Sequence, residues 1–179
     1  MVQVRVDKLL FTFTSGVAAQ NYDQWQHYTT VWNAHGNRKA VDVVAVQNHG
    51  AKATARLIEA KDYRIITNPP KPCNLAGLAQ TMADKVRDTR AGLNDASTKA
   101  VHASEKQLAA AAVQTPKTNV VLHLEPHRGI HSKLFPTNFS ANVLQKLRQL
   151  LNASNSKPAV ILVLRISNTA QAGVPWTVR

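Results

Sequence analysis

Ala40-Val41-Asp42-Val43-Val44-Ala45-Val46, then Asn48-His49-Gly50, then the apolar run from Ala53 to Ile66 is the stretch on which the fold is decided. Residues 40–46 are almost wholly apolar and rich in valine, the composition of a buried strand. Asn-His-Gly is turn chemistry, so residues 53–66 return as a second strand and the two make a β-hairpin. The cluster Asn68-Pro69-Pro70-Lys71-Pro72 stops that strand, and Asn74 is placed to cap the next helix. Leu75, Leu78, Met82, Val86 and Leu93 recur on one face of that helix, which runs to about Asn94.

Outward from this centre, helix and strand patterns alternate. An alanine-rich segment from Ser97 to about Val113 predicts another helix, and Asn119 to Glu125 a short buried strand bounded by Pro116 and Pro126. The chain is irregular from there to Thr137. Phe139–Asn152 carries Val143, Leu144, Leu147, Leu150 and Leu151 at helical spacing, and Ala159–Ile166 is again strand-like. Towards the N-terminus, Val2, Val4 and Val6 alternate with polar residues and Leu9–Phe13 continues the extended pattern up to Gly16. From Gln20 to Ala34, Tyr22, Trp25, Tyr28, Thr29 and Trp32 stand three and four apart, which predicts an amphipathic helix closed by His35-Gly36-Asn37. This order predicts an α/β fold, a mixed central sheet flanked by helices. There is no internal repeat.

The chain of 179 residues suffices for one domain with its own core, so a single domain over 1–179 is expected. Its 22 lysines and arginines face only 10 acids, a net charge of +12 and a pI near 10.3. Such an excess favours polyanionic partners, nucleic acid before membrane, because a long apolar span and a basic amphipathic helix with bulky anchors are both lacking. Cys73 is the single cysteine. It excludes an internal disulfide and a multi-cysteine zinc site, and a cytoplasmic setting is expected. Leu9–Phe13 ahead of Val17-Ala18-Ala19 has some look of a leader, but Asp7, Thr12, Thr14 and Ser15 interrupt it, so the segment reads as part of the fold.

Three of the few acids lie inside apolar strand patterns: Asp42, Glu59 and Glu125. A carboxylate buried without a partner costs several kcal/mol or becomes neutral, so each implies a partner or a bound cation. On paired strands Asp42 and Glu59 come to one side of the sheet, with Lys61 two positions on from Glu59 and Ala60 facing away. Two carboxylates and a lysine suit a magnesium or manganese ion that polarises a phosphate and a bound water, the lysine orienting that water.

Asp42, the hairpin-length gap and Glu59-Ala60-Lys61 in a hydrophobic strand resemble the PD-(D/E)xK signature of the restriction-endonuclease-like nuclease superfamily. The resemblance implies a restriction-endonuclease-like core in which Asp42 and Glu59 bind Mg, the Ala60 carbonyl adds a ligand and Lys61 is the catalytic lysine. The implied activity is metal-dependent phosphodiester hydrolysis by an endonuclease, on DNA rather than RNA and with dimerisation suited to cutting two strands. The alternative is a non-catalytic nucleic-acid-binding or interaction protein with the same fold. Val41 stands where the family has proline, and residues 37–40 leave no room for the strand that the family places before its aspartate.

Lys85, Arg87 and Arg90, on the helix after the hairpin, are candidate phosphate contacts, against a solvated face paired with Asp84 and Asp88. Gln47, five positions beyond Asp42, should face the other side of its strand. His123, His127 and His131 near Glu125 fit no strong metal spacing and read as surface histidines. Tyr22, Trp25, Tyr28 and Trp32 read as core before base-stacking surface.

Overall fold

The computed structural model describes residues 1–47, 53–64, 74–126, 138–153 and 158–179. The turns expected at Asn48–Gly50 and Asn68–Pro72, together with Cys73, His127 and His131, lie outside them. Eight strands are found in the described chain: β1 (Val2–Val6), β2 (Leu9–Phe13), β3 (Val17–Asn21), β4 (Val43–Gln47), β5 (Thr54–Asp62), β6 (Lys117–Glu125), β7 (Val160–Leu164) and β8 (Trp176–Val178). Helices α1 (Leu75–Lys99) and α2 (Ala103–Gln114) separate β5 from β6, α3 (Phe139–Asn152) separates β6 from β7, and α4 is the short Ile166–Thr169.

The mixed sheet flanked by helices is present as a five-stranded sheet of order β3-β4-β5-β6-β7. β3, β4 and β5 run antiparallel, and β5, β6 and β7 run parallel. A second, antiparallel sheet of order β1-β2-β8 lies beyond the sequence expectation. Because strand residues alternate between faces, the central sheet carries two cores. Val44, Val46, Leu57, Val120 and Leu122 pack with Met82, Val86 and Leu93 of α1, Leu108 of α2 and Val143 and Leu147 of α3. On the other face Val43, Ala45, Ile58, Ala60 and Val121 meet Phe11, Phe13 and Trp176 of the small sheet. The result is three layers: small sheet, central sheet, helices.

Several expectations are corrected. The single extended run 2–13 is a hairpin: Val6 pairs with Leu9 across a tight turn in which Asp7 takes φ 50°. Aspartate tolerates that left-handed conformation better than most residues, which lets an alternating pattern conceal a turn. The helix expected over 20–34 is replaced at its start by β3, whose Val17–Asn21 pairs with Gln47–Val43 of β4. The aromatic spacing beyond it arises from a 3₁₀ turn at Tyr22–Gln24 and a π-helical turn at Tyr28–Trp32. Tyr22 packs against Trp25 and Tyr28 at ring separations of 4.9 and 5.4 Å, so these rings are core, as expected.

The break expected near Asn94 is absent. Ser97 and Thr98 turn their hydroxyls back onto the carbonyls of Asn94 and Asp95, so α1 continues through residues that otherwise favour caps. Asn74 does cap α1, its side chain accepting from Gly77 N–H at 3.0 Å. β7 ends at Leu164, because Ile166 opens α4.

Candidate functional site: a buried carboxylate and lysine cluster

Val43 pairs with Ile58, which sets Asp42, just before β4, beside Glu59 on β5. Both point to the helical side, as do Leu57 and Lys61, while Ala60 is buried against the small sheet. The structure therefore brings Asp42, Glu59 and Lys61 together. Glu59 is 1% exposed and Asp42 8%, which forces each carboxylate to find partners in the protein. Asp42 Oδ2 accepts from Ala60 N–H at 2.7 Å, so Ala60 meets the cluster through its amide.

Lys85 of α1 supplies what sequence reasoning missed. Its Nζ donates to both Glu59 oxygens at 2.7 Å and lies 3.6 Å from Asp42 Oδ1. Lys61 Nζ is 2.7 Å from Glu59 Oε1. Burial and the neighbouring Asp42 push the Glu59 carboxyl above its ordinary value, against the pull of Lys85 and Lys61. Burial alone would lower Lys61, but the Glu59 carboxylate outweighs it and raises that ammonium. Asp23, on the 3₁₀ turn, also feels Asp42 and Lys85, and burial raises it. Nothing local marks Lys85 in sequence: it borders the apolar stripe of α1, and only the docking of α1 on β5 aims it inward.

Among the described residues no group of three or more His, Cys, Asp or Glu side chains is placed to hold a metal ion. The Lys85 ammonium lies between the two carboxylates, where a magnesium or manganese ion would have to displace it. The other buried acids serve as clamps on backbone amides. Glu105 of α2 accepts from Gln26 and His27 N–H at 2.8 and 3.1 Å, and Asp88 accepts from Lys39 N–H at 2.9 Å. Glu125 accepts from Ile166 N–H at 2.5 Å and lies 3.1 Å from His123 Nε2.

Glu125 faces the small sheet, not the cluster, and His123 is fully buried there with its ring edge-on to Phe11 at 5.4 Å. The reading of His123 as a surface histidine is thus corrected: its strand is covered on both faces. Gln47 faces away from Asp42 as expected, bonded to Arg56 at 3.1 Å. Of the three candidate phosphate contacts, Lys85 is held by Glu59, Arg87 is 59% exposed beside Asp84 and Asp88, and Arg90 lines a pocket at the other end of the sheet. Arg38 is exposed and stacks over Trp32 at 4.7 Å, and the exposed Lys39 and Arg87 both pair with Asp84, at 2.9 and 3.2 Å. No helix in the described residues is long and apolar enough to cross a membrane.

No family model matches the chain, and no solved structure matches it. Among characterised proteins, 99% of the chain aligns with a cysteine–tRNA ligase of Neisseria meningitidis serogroup A / serotype 4A, 28% identical over 208 residues. The chain spans 30% of that relative's length. This overturns the expectation of a metal-dependent DNA nuclease, endonuclease or hydrolase. The alignment joins nearly the whole chain to a tRNA-ligase sequence.

Proposed function

We propose that this chain is an RNA-binding domain that holds tRNA, or an RNA folded like it, on its basic surface, in work related to that of an aminoacyl-tRNA synthetase. The observation that carries this reading is the alignment of nearly the entire chain with part of a cysteine–tRNA ligase. The net charge of +12 supports it, and so does the way the acids are spent. Asp42, Asp88, Glu105 and Glu125 accept from backbone amides, and Arg38, Lys39 and Arg87 stay exposed, the last two beside Asp84. Arg38 on Trp32 offers a flat cationic surface of the kind that RNA bases and phosphates accept. The proposal concerns RNA binding and not ligation, because the match covers a minor part of the relative. A cytoplasmic setting goes with this reading.

In this reading the Asp42, Glu59, Lys61 and Lys85 cluster fastens α1 to the sheet beneath the basic face. The likeness to a restriction-endonuclease-like scaffold is a proposal about the fold alone, supported by the antiparallel β3-β4-β5 unit and the helical crossover to parallel β6. Binding of unmodified tRNA, followed by anisotropy across a salt series beside single-stranded DNA of equal length, tests the function. Preferential tRNA binding is expected, with log K falling linearly in log salt. The combined Arg38→Gln, Lys39→Gln, Arg87→Gln change should lower that slope by roughly 2–3, about one for each phosphate contact removed. Glu59→Gln should leave affinity unchanged. Equal binding of the DNA, or none at physiological salt, would sink the proposal.

A further inference from the structure

At the end of the sheet away from the lysine cluster, a pocket of about 330 Å³ opens between α1, the C-terminal end of α2 and the first residues of β5, β6 and β7. It falls within the lower range of small-ligand sites, about 300–1,000 Å³. The space exists because the residues meeting there are small: Ala55 on β5, Ala112 on α2 and Ala159 before β7 line it. Leu57 and Leu93 close its buried floor, Val113 and Pro116 its rim, and the polar Asn94, Thr115 and Thr118 share the lining with Arg90.

Arg90 makes no hydrogen bond or ion pair among the described residues, and its Nη1 is buried without a partner. The contrast along the same helix is instructive, since Lys85 is held by Glu59, Arg87 by Asp84 and Asp88, and Lys99 by Asp95. A half-buried guanidinium without an acceptor is costly to leave so, and an anion removes the cost. We infer that this pocket binds a small carboxylate with an apolar body, Arg90 taking the carboxylate and the exposed Val113, Pro116 and Ala159 taking the body. The guanidinium fork matches a planar carboxylate with two parallel bonds. A single guanidinium balances the one negative charge of a carboxylate, and leaves a phosphate dianion half neutralised and partly desolvated.

The site is independent of the RNA-binding reading, and its test contains no RNA in its first arm. The full chain, labelled with ¹⁵N, is titrated with benzoate, hexanoate and inorganic phosphate while its amide resonances are followed. Saturable shifts of Leu93, Asn94, Val113 and Thr118 amides with the two carboxylates, and none with phosphate, are expected. Arg90→Gln should weaken benzoate binding about tenfold or more, as loss of a charge-assisted pair implies. Val113→Trp, at a half-exposed rim position, should block both carboxylates with the unfolding midpoint unchanged. Absence of shifts with both carboxylates, or shifts indifferent to Arg90→Gln and Val113→Trp alike, overturns the inference. So does an equal response to phosphate, or displacement of benzoate by a short RNA, either of which would make Arg90 a phosphate contact.

Discussion

Replacing Lys85 with methionine removes the one ammonium shared by Glu59 and Asp42, at 2.7 and 3.6 Å, while keeping most of the side chain's volume. Breaking a buried ion pair from one side costs about 3–5 kcal/mol, since the remaining charge stays buried without its partner. Lys61 still reaches Glu59 at 2.7 Å, which holds the cost at the lower end, about 3 kcal/mol. Glu59→Gln should cost about 2 kcal/mol, because Lys85 keeps Asp42 and the more exposed Lys61 can turn to water. If Lys85 compensates Glu59 directly, the double variant is more stable than the sum predicts, with a coupling of at least about 1.5 kcal/mol. Urea unfolding of the four proteins measures this, with equal m-values as the condition for comparing them. Costs that add to within about 0.5 kcal/mol would show that Lys85 is not the balancing charge, and a different cation would have to be sought at the cluster.

A Cβ at Gly92 would stand 2.2 Å from the Tyr22 hydroxyl and 2.9 Å from the Trp32 ring, and Tyr22 is fully buried. Gly92→Ala gains about 1 kcal/mol of helix propensity but forces a shift costing about 1–3 kcal/mol, so a small net loss in the unfolding midpoint is expected, and a gain would refute the close packing. The pH profile has two opposing parts. Asp62, held low first by its bond from Arg64, and Asp95, held low first by Lys99, contribute stability above the ordinary value of 3.8 that is lost as pH falls through their lowered values. Glu59 and Asp23 are both raised, first by burial, so from 4.5 and 3.8 up to their folded values the native state binds the extra protons and stability falls as pH rises. Unfolding measured from pH 3 to 8 should show a shallower falling segment in Glu59→Gln and none in the double variant with Asp23→Asn; an unchanged segment in Glu59→Gln would refute the assignment to Glu59.

The segments legible in sequence are those whose periodicity one surface imposes. Val143, Leu147 and Leu151 recur every four residues because α3 meets the sheet with a single stripe, and its expected bounds agree with those found. β4 and β5 are legible as apolar runs because both of their faces are covered. Tyr22, Trp25, Tyr28 and Trp32 mislead because a helical spacing records which residues share a core, not which backbone brings them there. A 3₁₀ turn and a π-helical turn with Glu105 clamping the chain between them serve as well as a continuous helix.

The sequence by itself determined the excess of positive charge, the alternation of helix and strand, and the presence of Asp42, Glu59 and Lys61 on one side of a hairpin, since these arise from composition and from the period of two along a strand. Tertiary structure alone decided that Lys85 completes their charge balance, that Arg90 is left facing a pocket without a protein acceptor, and that β8 and β1-β2 cover the second face of the sheet. Each depends on contacts between residues distant in the chain, and a lysine at position 85 has the same local pattern whether it meets water or Glu59.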